Sequence, residues 1–134
     1  MGNALFSKGR EGILDESIKM KTGDVRAMLV KDTYIFDDAD EDLADLGAVD
    51  NGRTAALTDM TYTAGVFDAA NTSLVALAAV ASNAIILFQH TGGDSTARLI
   101  AYIDEPASGL PCTPSAGQNI NIEWDGGANR IFKL

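Results

Sequence analysis

The sequence contains one cysteine and one histidine, which restricts the chemistry available to it. Because Cys112 is the only cysteine, an intramolecular disulfide framework and a zinc site built from several cysteines are excluded. His90 could act as a general base only with a nucleophile and an orienting acid nearby in space, and Ser95 and Asp94 are merely its neighbours along the chain. We therefore expect His90 to end a strand beside a turn and Cys112 to be a structural thiol.

The sequence also lacks an apolar run long enough to cross a membrane. The longest candidate, Ser73–Phe88, is interrupted by Ser82 and Asn83. The first residues include Lys8 and Arg10 but no apolar segment follows them, so we expect no secretory signal. These features predict a protein without a membrane partner.

Positive charge is scarce, since 19 acidic residues outnumber 10 basic ones and give a net charge of −9. This balance argues against nucleic acid or an anionic membrane as a partner. Most of the excess lies between Lys31 and Arg53, where eight acids occur without a base. We expect this acidic patch either to be solvated or to meet basic residues of a partner. Its members are Asp32, Asp37, Asp38, Asp40, Glu41, Asp42, Asp45 and Asp50.

Part of the acidic patch has the spacing of a calcium-binding loop. Asp38, Asp40 and Asp42 alternate as the first ligands of an EF-hand do, but the sixth and twelfth positions then require glycine and glutamate. The sequence has Leu43 and Val49 there, so the EF-hand frame fails. We predict no metal and no cofactor, with an irregular calcium site as the alternative.

Alternating apolar and polar residues recur through most of the chain and predict strands joined by short turns. The clearest are Asp24–Phe36 and the pair Ala84–His90 and Ala97–Asp104, which flank the glycine-rich loop TGGDST. The amphipathic stretch Ala39–Leu46 predicts one short helix. Residues 1–134 are thus predicted to form a single, mainly β domain: an antiparallel β-sandwich, jelly-roll or immunoglobulin-like, of about seven or eight strands.

The two ends of the chain receive different predictions. The motif DGGAN should turn Asn119–Trp124 back onto Arg130–Leu134 as a hairpin, with Phe132 and Leu134 in the core. The C-terminal strand should then tolerate little truncation. Residues 1–17 are predicted to form an N-terminal arm, with an ordered or short helical part over Asn3–Ile13, because its glycines weaken a longer helix.

Several segments, found in the same order along nearly the whole chain, form a recognisable set. They are NALFSKGREGIL, DVRAMLV, TARLIAYID with GLPCTP, and INIEWDGGANRIFKL, of which the two terminal segments are the most specific. Together they resemble a family of small structural proteins of tailed-bacteriophage virions. The acidic patch is more acidic than the family pattern, and Cys112 occupies a position where an aliphatic residue would fit. The resemblance brings no catalytic residues.

The resemblance implies a non-enzymatic protein that decorates or cements the capsid. Its partner would be the major capsid protein or another virion protein, and it would act as a homo-oligomer, a dimer or trimer, in the virion after synthesis in the host cytoplasm. Leu5 and Phe6 would be apolar anchors of the arm. The candidate partner-binding residues are Asn3, Leu5, Phe6, Lys8 and Arg10 in the arm, and Asp38, Asp40 and Asp42 in the acidic patch.

Two other functions are open to the same sequence. A tail or fibre component could bind a host-surface glycan, and an exposed Trp124 or Tyr102 stacked on a sugar ring would favour this alternative. A hydrolase that uses His90 is the weakest interpretation.

Overall fold

The computed structural model describes residues 3–105 and 109–134, and these residues are mainly β. They contain nine strands, all in antiparallel sheets, and one α-helix, α1. Their bounds are β1 Ala4–Leu5, α1 Ser7–Leu14, β2 Val25–Lys31, β3 Asp50–Arg53, β4 Val66–Phe67, β5 Thr72–Leu77, β6 Ser82–Gln89, β7 Leu99–Ile103, β8 Gln118–Ile122 and β9 Phe132–Lys133. The prediction of a mainly β, antiparallel fold is confirmed.

A five-stranded sheet in the order β1-β7-β6-β2-β3 forms the centre of the molecule. β2 and β6 pair from Val25 opposite Gln89 to Lys31 opposite Ser82, and β7 pairs with the other edge of β6. The predicted hairpin around TGGDST is therefore confirmed. The residues from Ala84 to Phe88 are all fully buried, which shows that both faces of the sheet are covered.

Different parts of the chain cover the two faces. On one face lie two ribbons, β4–β9 and β5–β8, which contribute Leu74, Ile122 and Trp124 to a core with β2 and β6. The other face is covered by the segment that carries the acidic patch, which buries Leu43 and Leu46 against the sheet. The acidic patch is thus the outer surface of a segment that closes a second core.

The helical segments differ from the prediction. Ala39–Leu46 contains only a short 3₁₀-helix, Leu43–Leu46, whereas the α-helix lies at the N-terminus as one alternative for Asn3–Ile13 had it. The glycines of α1 have a packing role, because a Cβ on Gly9 would lie 2.6 Å from the carbonyl oxygen of Ile100 in β7. Gly9 therefore lets α1 approach the sheet edge more closely than any other residue would.

The predicted C-terminal hairpin is wrong. β8 pairs with β5, and β9 pairs with β4, where Phe132 stacks on Phe67 with 5.1 Å between ring centroids. The reason lies in packing, since pairing with β4 buries Phe132 against Phe67, and Arg130 in the preceding turn adopts a left-handed conformation with φ of 47°. Ile131 is consequently buried, while Leu134, predicted in the core, is 59% exposed.

Candidate interaction surface

The N-terminal segment is part of the folded sheet. β1 pairs with β7, with Ala4 opposite Tyr102, and the N–H of Phe6 donates to Ile100 O at 3.1 Å. Leu5 is buried in the core on one face of the sheet and Phe6 in the core on the other. Both side chains are therefore packed inside the chain, and their role as anchors to a partner stays a prediction.

The three carboxylates predicted to contact a partner each accept a hydrogen bond from within the chain. Asp38 accepts from the backbone N–H of Ser7 at 2.9 Å and also from the Ser7 hydroxyl. Ser7 lies on a different segment, at the start of α1. Asp40 accepts from the Tyr34 hydroxyl at 2.9 Å. Asp42 caps the 3₁₀-helix by accepting from its backbone. Asp38 therefore ties the acidic segment to α1, whereas Asp40 and Asp42 stabilise the local conformation of the segment.

The surroundings of Asp38 and Asp40 shift the pKa values of these two carboxyls in opposite directions. The hydrogen bonds from Ser7 hold the pKa of Asp38 below its usual value. Burial raises the pKa of Asp40 and also that of the Tyr34 hydroxyl beside it. Asp38 is thus the carboxylate whose negative charge the fold favours, at the first turn of α1, where the helix dipole also stabilises an anion.

Arg98 joins the two predicted interaction segments. Its guanidinium donates to the carbonyl oxygen of Lys8 at 2.8 Å and to the Ser17 hydroxyl at 3.0 Å, and its Nε lies 3.7 Å from a Glu41 carboxylate oxygen. The N-terminal helix and the acidic patch, which are distant in sequence, therefore meet on one face. Sequence analysis did not assign Arg98 a role, although a base next to an apolar strand was a usable signal.

We expect Asp38→Ala to lower the free energy of unfolding at neutral pH by about 1 kcal/mol, as loss of a helix cap does. Because the folded state depresses the pKa of Asp38, its contribution is present above the unfolded pKa and disappears as pH falls through the folded pKa. Urea unfolding at neutral and acidic pH would measure this. Asp32→Ala, an exposed acid of the same patch, is the control, and an equal effect of both variants at neutral pH would contradict the prediction.

A cleft separates the N-terminal strand from the C-terminal segment. Asn3–Leu5 and Arg10 line one side, and Asn129–Lys133 lines the other, around a volume of about 310 Å³. We call this feature the terminal cleft. Its lining contains three bases and one acid, Asp125, which is the reverse of the balance in the whole chain. The sequence pattern did not reveal this feature, since the predicted C-terminal hairpin would have placed the last residues elsewhere.

An apolar groove adjoins the terminal cleft, with Phe132 lining both. Its other lining residues include Ile13, Met20, Tyr62 and Leu134, and its volume is about 210 Å³. The Tyr62 hydroxyl donates to the carbonyl oxygen of Met20 at 2.8 Å, which fixes the position of the ring. The C-terminal segment therefore borders a basic cleft on one side and an apolar groove on another.

The residues on which the other interpretations rested have structural roles. Trp124 and Tyr102 are buried, and Trp124 Nε1 donates to Ala70 O at 3.1 Å, so neither ring offers a face to a sugar. His90 directly follows β6, as predicted for a strand-end residue. The acid nearest to it in the loop, Asp94, accepts two hydrogen bonds from Arg53 at 3.0 and 3.1 Å.

Four further observations concern the lone thiol, metal binding, membrane spans and relatives. Cys112 is half-buried, and this burial raises the pKa of its thiol. Among residues 3–105 and 109–134, no three His, Cys, Asp or Glu side chains are grouped so that they could hold a metal ion. The helices in this part of the chain are all too short or too polar to span a membrane. Comparison with models of known families, with curated proteins and with solved structures gives no match to this chain.

Proposed function

We propose that the chain is a non-enzymatic structural protein of a tailed-bacteriophage virion that binds and stabilises the capsid shell. The observation that carries this proposal is the position of the two segments with the most specific resemblance. They lie at opposite ends of the sequence, yet Asn3–Leu5 and Asn129–Lys133 face each other across the terminal cleft. This arrangement supports a shared interaction surface built by both segments.

Decoration of a capsid requires only binding. A protein that binds the assembled shell but not its dissociated subunits stabilises the shell by mass action. The partner would be the major capsid protein or another virion protein, and binding as a symmetric dimer or trimer would match the symmetry of capsomer junctions. A sandwich-like arrangement of jelly-roll or immunoglobulin type belongs to the same proposal, with the central sheet and the two ribbons as its layers.

The test uses particles assembled without this chain, to which the purified chain is added back. We expect saturable binding, measured by cosedimentation. We also expect the shell to be disrupted at a higher temperature, which the release of packaged DNA would measure. Electron-microscopy density of the intact virion should then show the chain on the shell. Its absence from purified virions, or binding that leaves shell stability unchanged, would contradict decoration. Density on the tail would favour the tail or fibre alternative.

A further inference from the structure

Both walls of the terminal cleft carry backbone groups that form no hydrogen bond with residues 3–105 or 109–134. In the ladder between β1 and β7, Ala4 lies opposite Tyr102 and Leu5 opposite Ala101, while Phe6 N–H donates to Ile100 O. Hydrogen-bonded residues alternate along an antiparallel strand, so the N–H and C=O of Leu5 point away from β7. β1 is the edge of the five-stranded sheet, and Leu5 lines the cleft. One wall therefore offers a backbone donor and acceptor.

The opposite wall has the same property. In the ladder between β4 and β9, Lys133 lies opposite Val66, and the N–H of Leu134 donates to Gly65 O at 3.0 Å. The same alternation turns the N–H and C=O of Lys133 away from β4. Because Lys133 also lines the cleft, the second wall is a strand edge as well. A cleft between two strand edges suits an extended peptide, which can pair with one or both of them.

The side chains of the cleft select the charge of such a peptide. Arg10 and Lys133 are exposed and form no ion pair with any residue in 3–105 or 109–134. The third base, Arg130, has one long ion-pair contact within the described part of the chain, 4.0 Å from Nε to a carboxylate oxygen of Asp68. Two of these bases extend from the C-terminal wall and one from α1 above β1. An extended segment between them would meet positive charge from both sides.

We infer that the terminal cleft binds a short, extended, acidic segment of a partner protein, which adds as a strand beside β1. A second copy of this chain is a poorer occupant, because its own acidic segment is folded onto its own sheet and uses Asp38 and Asp42 in internal hydrogen bonds. The inference rests on the proposed function, which supplies the partner protein. It adds that the binding segment of this partner is extended and acidic.

The test measures binding of a fluorescein-labelled peptide of alternating threonine and glutamate to the full chain by anisotropy. Two matched probes accompany it: the same peptide with lysine for glutamate, and the same peptide with alternate backbone nitrogens methylated. We expect binding of the acidic peptide only, weaker at higher salt, and loss of that binding on methylation because strand pairing needs the N–H donors. Equal binding of the lysine or methylated probe would overturn the inference.

Variants of the chain assign the binding to the cleft. Arg10→Glu and Lys133→Glu should each lower the affinity for the acidic peptide by about fivefold or more, because an exposed attractive charge pair becomes a repulsive one. Lys21→Glu makes the same change of net charge outside the cleft and should leave affinity unchanged. All three sites are exposed, and we expect Lys133→Glu and Lys21→Glu to have equal melting temperatures. Arg10→Glu also reverses a favourable charge near Asp38, so its melting temperature is measured beside its affinity. Equal weakening by all three variants would overturn the inference, as would absence of peptide binding.

The outcomes separate the cleft from the proposed function. Particle binding without peptide binding would overturn the cleft as the docking site and leave capsid decoration intact. Peptide binding without particle binding would uphold the cleft and overturn decoration. Self-association of the chain that Lys133→Glu abolishes, in the absence of peptide binding, would assign the cleft to a second copy and overturn a separate partner protein.

Discussion

Replacing Phe6 with alanine should lower the free energy of unfolding by about 3–5 kcal/mol, the usual range for removing a buried aromatic ring. Phe6 is fully buried, and its ring lies 5.0 Å from that of Phe36, which belongs to the acidic segment over the sheet. The alanine variant would leave a cavity between the N-terminal segment and that covering segment. Thermal and denaturant unfolding would both report the loss.

The control for Phe6→Ala is Leu14→Ala in the adjoining helix. Leu14 is 83% exposed, so its truncation removes almost no packing, and alanine is a good helix former. We expect its free energy of unfolding to change by less than about 0.5 kcal/mol. If Phe6→Ala proved equally silent, the N-terminal segment would be an arm detached from the sheet in solution, as the sequence alone had suggested.

Trp124→Ala should be comparably severe, with a loss of about 3–5 kcal/mol. The side chain is 6% exposed and belongs to the core between the sheet and the two ribbons. It also satisfies the carbonyl oxygen of Ala70 with a hydrogen bond from Nε1 at 3.1 Å. Truncation would therefore remove packing and leave a partly buried acceptor unpaired.

Trp124→Phe separates these two contributions. Phenylalanine keeps most of the apolar ring but lacks the donor, so we expect a smaller loss of about 1–3 kcal/mol. Calorimetry on the two variants and the unmodified chain would show whether Trp124→Phe loses less stability than Trp124→Ala. A melting temperature that is unchanged in Trp124→Ala would contradict burial of the ring and would restore a stacking surface for a glycan.

Local patterns predicted the parts of the fold that depend on local sequence. The alternation in Ala84–His90 and Ala97–Asp104, with a glycine-rich loop between them, was sufficient to predict the β6–β7 hairpin. The apolar alternation of Asn119–Trp124 likewise predicted burial of Trp124. In both cases the side chains that decide the structure lie within a few residues of one another.

Local sequence patterns did not predict which distant segments pair with each other. The turn residues DGGAN favoured a hairpin for the last residues, but β9 pairs with β4, where Phe132 packs on Phe67 from a distant part of the sequence. The glycines of α1 indicated a weak helix through their low helix propensity. The close approach of Gly9 to Ile100 depends on the folded sheet and was not visible in the local pattern. The terminal cleft has a similar origin, since its two walls come from opposite ends of the sequence.

The acidic patch shows why composition alone was ambiguous. A run of carboxylates is usually solvated, and here the exposed side chains do face water. The same segment nevertheless buries Leu43 and Leu46 and connects to α1 through Asp38. Its charge could be predicted from the sequence, but its role in covering a core depends on which distant apolar residues lie beneath it.

The pairing of β1 with β7 and of β4 with β9 also determines the order in which strand pairs can form during synthesis. β1 and α1 are synthesised well before β7, the strand with which β1 pairs. Phe67 likewise can stack on Phe132 only after β9 has been synthesised. Contacts between such distant segments form slowly and leave apolar surface exposed meanwhile. Phe6 can therefore be buried only after β7 has been synthesised, and the five-stranded sheet is complete only then.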